Sequence, residues 1–401
     1  MSDKKLFSSP ATLNPPLGNL SAEKFLRDHW QKKPLLIRHA FPNFEAPLTI
    51  PEILTLAKRE EAESRLIMRR DEIKIHGKNS GKHTDWQMQQ GPFKTKDFRA
   101  AADSVWTLLI QDTQHFSHEA HQLLQRFNFI PYARIDDLMV SYAVKGGGVG
   151  PHFDSYDVFL LQGHGQRRWQ ISAQQDLRLQ AERPLKILSH FKAEEEWLLN
   201  PGDMLYLPPG CAHHGVAETD DCVTWSIGFR APSQQEITMG FLDYLRDEIK
   251  LDGQYQDDDL QMTSRPGEIG ADMLLRVSKM LDEIRAAAAD KKRLQQFLGR
   301  HFTEPKSHVY FDAPEKILSL RAFTKAAAAQ GLMLDLQTRL LYDELSVFLN
   351  GEQLCNADSR NASWQTLADG RALSAVQFKA ASPAAQALMY EAYCSGYIHL
   401  A

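Results

Sequence analysis

The run Gly146-Gly147-Gly148-Val149-Gly150-Pro151-His152-Phe153-Asp154, followed at once by Tyr156-Asp157-Val158-Phe159-Leu160-Leu161, constrains the fold more than any other stretch of the chain. Residues 158–161 are apolar and strand-forming, so the passage reads as a glycine-rich loop running into a buried strand. Side chains alternate across a strand, which sets His152 and Asp154 on one side and Phe153 on the other. A histidine beside a carboxylate is two-thirds of the 2-His-1-carboxylate set that holds non-haem Fe(II). The glycines ahead of the pair remove side chains where another backbone, or a ligand, must come close.

One strand cannot surround a metal, so the third ligand comes from elsewhere. The candidate stretch is Asn200-Pro201-Gly202-Asp203-Met204-Leu205-Tyr206-Leu207-Pro208-Pro209-Gly210-Cys211-Ala212-His213-His214-Gly215. A Pro-Gly turn leads into an apolar strand, then a Pro-Pro-Gly turn, then histidine, a layout rich in β-hairpins. His213 and His214 face opposite ways on a strand, so only one of them coordinates.

Together these residues resemble the Jumonji-C (JmjC) branch of the cupin-fold 2-oxoglutarate oxygenases, and within it the bacterial ribosomal oxygenases. Tyr156-Asp157-Val158-Phe159, Arg167 before Trp169, and Ser226-Ile227-Gly228-Phe229-Arg230-Ala231-Pro232 fit that family, and the likeness extends over most of the chain. The resemblance implies an Fe(II)- and 2-oxoglutarate-dependent protein hydroxylase, with dioxygen as second co-substrate. Its substrate is then an arginyl residue of the sixteenth large-subunit ribosomal protein. Relatives with the same site act on a histidyl residue of another ribosomal protein or on N-methyl lysine. A reading from a different class is a non-catalytic cupin and winged-helix regulator.

The family pattern of Pro-Pro-Gly-x-x-His selects His213, giving His152, Asp154 and His213 as the metal and catalytic set. Two nitrogens and one oxygen on one face leave three positions open, which suits Fe(II) better than zinc. The far carboxylate of 2-oxoglutarate needs a fixed cation, and arginine offers a permanent charge in a bidentate fork. Arg167 and Arg168 are the candidates; the family spacing to Trp169 points to Arg167, with Ser141 adding a hydroxyl. Thr224, Ser226 and Tyr156 are further pocket candidates. Asp136, Asp137 and Asp157 are candidates for the substrate guanidinium, and the sequence does not choose among them.

At 401 residues the chain is long enough for two or three domains. The α+β reading runs in four parts: a flexible arm over 1–20, the JmjC double-stranded β-helix (cupin) domain over 21–232, a helical region over 233–303, and a winged-helix-like domain over 304–401. Ser21 caps a short helix, residues 34–38 form a short strand, Pro51 opens a second helix, and residues 106–110 form a buried strand. Residues 60–100 read as polar and mixed, with no strand assigned. After residue 232 the period changes to that of helices, first along Ile237, Phe241, Leu242, Leu245 and Ile249, then along Met273, Leu274, Val277, Met280, Leu281 and Ile284 as one long helix. The resemblance implies that this helical region makes a homodimer. Asn350-Gly351 marks a tight hairpin in the last part.

Charge limits the partners. Residues 301–401 carry eight Lys/Arg against ten Asp/Glu, whereas a phosphate-binding surface needs the opposite balance, so the winged helix is not expected to bind DNA. No apolar run approaches the ~20 residues that span a bilayer, and the N-terminus lacks the apolar core of a signal peptide, so a cytoplasmic location is expected. Cys211, Cys222, Cys355 and Cys394 form no zinc spacing and read as reduced thiols. His115, His118 and His121 recur at helical spacing and read as a solvated face.

Overall fold

Two sheets built from the strand-forming stretches face each other in the first half of the chain. A computed structural model describes residues 14–76, 79–354 and 362–401, with the backbone alone for residues 70–76 and 79–85. Cys355 and the first thirteen residues of the expected arm lie outside the described residues. The chain divides into two compact units, Met1–Ala231 with His308–Tyr310, and Pro232–Ser307 with Phe311–Ala401.

The first unit opens with α1 (Ala22–Asp28), where the Ser21 side chain accepts from the Lys24 amide at 3.2 Å. Next come β1 (Leu35–Ile37) and α2 (Ile50–Leu56), whose Glu52 carboxylate accepts from the Thr49 amide at 2.7 Å. The chain continues through β2 (Ser64–His76), β3 (Asn79–Gln90), α3 (Thr95–Ala100), β4 (Val105–Ile110) and α4 (His118–Gln125) to β5 (Ile135–Ala143). Six strands follow: β6 (Asp157–His164), β7 (Arg167–Ser172), β8 (Glu195–Leu199), β9 (Met204–Leu207), β10 (Ala212–Ala217) and β11 (Cys222–Phe229). One antiparallel sheet has the order β1-β9-β6-β11-β5-β4-β2-β3, and the other the order β10-β7-β8.

The central strands β6, β9 and β11 of the larger sheet are buried on both faces, which explains their continuous apolar runs. Phe159, Leu161, Tyr206, Trp225 and Ile227 pack outward against Phe25 and Ile53 of the helices, and Val158, Leu160, Leu205 and Leu207 pack inward against Trp169, Ile171 and Leu199. Leu17, within the stretch expected to be a loose arm, is only 2% exposed in the outer core, because its apolar side chain finds a place there. The long β2–β3 hairpin falls where the sequence reading assigns no strand. β4 pairs with β2 only across residues 64–69, so beyond that point β2 has β3 alone beside it. A two-stranded extension of this kind imposes no simple apolar alternation on its sequence. His121 is buried in α4 rather than solvated.

The second unit begins with α5 (Gln234–Glu248), α6 (Ala271–Met280), α7 (Asp282–Ala289) and α8 (Lys291–Thr303). The long helix expected through Ile284 is two helices. The break falls at Leu281, and the Arg285 guanidinium donates to the Ser278 carbonyl at 3.1 Å, capping the end of the first. Phe297 of α8 packs against Phe241 and Tyr244 of α5 at centroid distances of 5.2 and 5.9 Å. Next come α9 (Leu320–Gln330), β12 (Leu332–Leu334), β13 (Leu340–Tyr342), β14 (Val347–Leu349) and β15 (Glu352–Gln353). The unit closes with α10 (Ala362–Gly370), β16 (Ala372–Leu373), α11 (Ala375–Ala380), α12 (Pro383–Cys394) and β17 (Ile398–Leu400). Asn350 and Gly351 join β14 to β15 with φ of 49° and 88°, the doubly positive backbone of a tight hairpin turn. The helices after the hairpin pack Trp364, Leu367, Phe378 and Met389 into one core with Phe323 and Leu349.

Candidate metal centre

His152 and His213 meet across an isolated antiparallel bridge rather than within a continuous ladder. Each backbone amide donates to the other's carbonyl, at 2.9 and 2.8 Å. The Gly210 amide donates to the Asp154 carbonyl at 2.7 Å, tying the Pro-Pro-Gly turn to the other side of the loop. These backbone contacts bring the three side chains together, with one ligand atom from each within 4.8 Å of the others. His213 Nε2 lies 3.7 Å from Asp154 Oδ2, and the two imidazole rings lie 4.2 Å apart.

Both histidines are set in the same tautomer. Nδ1 of His152 lies 2.9 Å from the Gly150 carbonyl, and Nδ1 of His213 lies 2.9 Å from that of Cys211. A carbonyl only accepts, so each Nδ1 carries the proton and each Nε2 presents its lone pair, as a metal requires. Burial, and then the neighbouring His152, hold His213 down to about 4, so it is neutral at physiological pH. Asp154 supplies the negative charge. Among the described residues this is the one group of three or more His, Cys, Asp or Glu side chains placed to hold an ion; His115, His118 and His121 form none.

The register of the smaller sheet separates the rival residues. His213 pairs with Ile171, Gly215 with Trp169, and Ala217 with Arg167, and this row faces the buried interior. His214 and Arg168 occupy the alternate positions. Phe191 packs on the His214 ring at 6.1 Å, and the half-exposed Arg168 donates to Glu196 at 2.6 Å and to Glu218 at 2.5 Å. Arg167 is 4% exposed, its guanidinium lies 5.6 Å from the Trp169 ring centroid, and its buried Nε and Nη2 have no hydrogen-bond partner. Burying a guanidinium with unused donors costs several kcal/mol unless an anion completes it. This site fits an anionic ligand.

The large sheet presents a polar row to the same interior. Thr224 of β11 is paired with Ser141 on one side and Gln162 on the other, and all three are buried. Thr224 Oγ1 donates to Gln162 Oε1 at 3.1 Å, and Ser141 Oγ reaches the Thr224 carbonyl at 3.4 Å. Gln162 escapes the sequence reading, although a glutamine inside the apolar run of β6 is the signal that marks it. Cys211 sits beside the site, but burial, then Glu194 and Glu195, push its thiol up to about 11 and keep it protonated.

The three aspartates separate as well. Asp157 is fully buried on the outer face, where it accepts from Tyr206 at 2.6 Å and from Gln31 at 3.0 Å. Asp136 stands 3.7 Å from Arg230. Asp137 shares the inward face of β5 with Met139 and Ser141, since Leu138 and Val140 pack outward. Its Oδ1 lies 3.0 Å from where a side chain at Gly228 would start, with the Tyr156 ring 3.8 Å from that point. Tyr156 keeps 39% of its surface exposed, and desolvation of its phenol, then the charges of Asp154 and Asp137, push its pKa above the usual value.

Residues 122–237 match the JmjC domain and residues 286–399 the ROXA-like winged helix. The chain is 34% identical over 292 residues to the "Ribosomal protein uL16 3-hydroxylase" of Escherichia coli, covering 73% of this chain and 74% of that one. It is 32% identical to the "Probable ribosomal oxygenase" of Haemophilus influenzae over 84% of this chain and 82% of the relative. Among solved structures it is similar to YcfD, a ribosomal oxygenase from Escherichia coli in complex with cobalt and 2-oxoglutarate, with a TM-score of 0.78 and 30% identity over 95% of this chain and 98% of that one.

Proposed function

The chain belongs to the ribosomal oxygenase family of JmjC proteins, and from that premise we propose that it hydroxylates an arginyl residue of ribosomal protein uL16 with Fe(II), 2-oxoglutarate and dioxygen. The observation that carries the reading is the buried, unsatisfied Arg167 on the same interior face as the His-Asp-His set. His152, Asp154 and His213 hold the metal through Nε2, carboxylate oxygen and Nε2. Arg167 takes the distal carboxylate of 2-oxoglutarate in its fork, with Ser141 alongside. Iron with its co-substrates supplies the oxidising power for an unactivated C–H bond when bound.

The protein's own work is placement. Leu160, Leu205, Trp169 and Ile171 line the interior with apolar surface and exclude water from it. The Nδ1 contacts to Gly150 and Cys211 hold the ligand imidazoles in orientation. Asp137, inward-facing and close to Tyr156, takes the substrate guanidinium, while Asp157 is committed to the outer wall.

The resemblance and the exposed apolar stripe of α6 support a homodimer, assembled through the region 233–303. The excess of acid over base in residues 301–401 supports a protein-contacting role for the winged helix rather than DNA binding. Among the described residues no helix is long and apolar enough to cross a membrane, and the same reading puts the enzyme with its ribosomal substrate in the cytoplasm.

The test is conversion of 2-oxoglutarate to succinate with Fe(II), with and without purified uL16, read by intact-protein mass. Stimulated turnover and a gain of one oxygen (~16 Da, the outcome of oxygen transfer at such a site) on an arginyl peptide is the expected result. The gain on a histidyl residue of another protein, or loss of a methyl group from lysine, overturns the substrate. Failure to bind 2-oxoglutarate favours a non-catalytic cupin.

A further inference from the structure

Strand β5 displays Asp137 on a stretch that lacks a neighbour on one edge. β11 pairs with β5 from Ile135 onward, but β4 reaches only residues 140–143. A loop after β4 fills the gap with side chains. Thr113 Oγ1 donates to the Leu138 carbonyl at 2.6 Å, and the Leu138 amide donates to Gln114 Oε1 at 2.8 Å. Gln114 Nε2 in turn donates to Asp112 Oδ1 at 3.1 Å. Asp112, Thr113 and Gln114 are all nearly fully buried, and Asp112 holds a left-handed φ of 51°, which a non-glycine residue adopts at a cost.

The residue that opens this loop reaches the displayed carboxylate itself. With its amide oriented so that each end meets a complementary group, Gln111 donates to Asp137 Oδ2 at 3.2 Å and accepts from Arg65 Nη2 at 3.1 Å. Arg65 lies on β2, the strand paired to the far side of β4. The carboxylate is therefore held at Oδ2 by a relay from a fixed cation, while Oδ1 lies 3.0 Å from where a side chain at Gly228 would start.

We infer that Gln111 is a positioning residue for the substrate, acting through Asp137 with Arg65 as its anchor and fixing the carboxylate plane for a planar guanidinium. This rests on the reading above that Asp137 takes the substrate arginine. A guanidinium offers parallel N–H donors in a fixed fork and so depends on the angle of the acceptor, whereas an ammonium is a point charge that tolerates a rotated one. Losing the Gln111 contact should therefore impair arginine more than lysine. Positioning of this kind separates arginine recognition from mere attraction of a positive side chain.

The experiment compares wild type with Gln111→Met, which keeps the length and removes both hydrogen bonds, and with Asp137→Asn. The substrates are uL16 and a uL16 variant with lysine at the hydroxylated position, bound in competition. For Gln111→Met we expect about a tenfold rise in KM for uL16, the size of one hydrogen bond to a charged group. The arginine-over-lysine preference should fall by a similar factor, with the KM for 2-oxoglutarate and the substrate-free turnover unchanged. A merely structural role would not move that preference. If Asp137→Asn weakens uL16 but Gln111→Met alters neither KM nor preference, this inference fails alone. If Asp137→Asn leaves uL16 unaffected, the assignment of the acid itself fails. Should Gln111→Met lose its folding transition, Arg65→Gln, which removes the anchor only, is judged by the same two readouts.

Discussion

Arg167 and Arg168 are adjacent in sequence and opposite in circumstance, which makes them the cleanest pair on which to test the site. Arg168 is half-exposed and already paired with Glu196 and Glu218, so replacing it removes a surface contact worth at most about 1 kcal/mol. Arg167 has buried donors without partners. Arg167→Ala should raise the KM for 2-oxoglutarate about 10- to 100-fold, the range set by a lost charge-assisted contact. It should also abolish the thermal stabilisation that 2-oxoglutarate gives. The ligand-free variant should melt no lower than wild type, because an uncompensated charge has been removed from the interior. A ligand-free variant that melts far lower would mean that Arg167 braces the barrel instead of waiting for an anion. The sequence alone left these two open until the family spacing was invoked, and alternation along β7 explains why: which face is inward depends on the pairing with β10, a contact between residues more than forty apart.

At the scale of elements, the site depends on how closely β10 lies against β7. A side chain at Gly215 would start 2.5 Å from the Trp169 ring, and its φ is ordinary, so glycine is needed there for room rather than for backbone freedom. Gly215→Ala should displace Trp169, cost about 1–3 kcal/mol by overpacking, and weaken metal affinity through His213 two residues earlier. Thermal melting and metal titration followed by tryptophan fluorescence read both effects. In the second unit, β12 and β17 are joined beyond their ladder by Asp335, which accepts from His399 at 2.9 Å. Burial pushes the Asp335 carboxyl up, but the contacts from His399 and the Gln337 amide outweigh it and hold the group below its usual value. A depressed carboxylate stabilises the fold above its unfolded value and loses that contribution as pH falls through the folded one. Asp335→Asn should thus cost about 1 kcal/mol near neutral pH, seen as faster hydrogen exchange in β12 and β17, and nothing in strong acid. Strands with apolar runs, the helices opened by Ser21 and Pro51, and the Asn350-Gly351 turn were legible because their signals are local. The β2–β3 hairpin, the break at Leu281 and the buried place of Leu17 were not, since each is decided by what packs or pairs nearby.

For the whole molecule, the surface left over by folding one chain predicts assembly. Along α6 and its junction with α7, Met273, Leu274, Leu275, Val277, Met280 and Leu281 are each 40–69% exposed, and no residue of α6 is buried. Isolated exposed apolar side chains are common, but Met273, Leu274, Val277, Met280 and Leu281 recur at the helical repeat on one face, a continuous strip that a globular surface rarely leaves to water. In the proposed homodimer a second copy of the same region would cover it with the same residues, in a two-fold interface where every contact is made twice. Light scattering should therefore give twice the mass of one chain. Leu274→Glu, at the most exposed of the six, places a charge against its own symmetry mate or against apolar surface in both halves at once. It should give a monomer with an intact barrel, judged by unchanged 2-oxoglutarate binding. A dimer that survives Leu274→Glu together with Leu281→Glu would assign the strip to another partner and move the self-contact elsewhere.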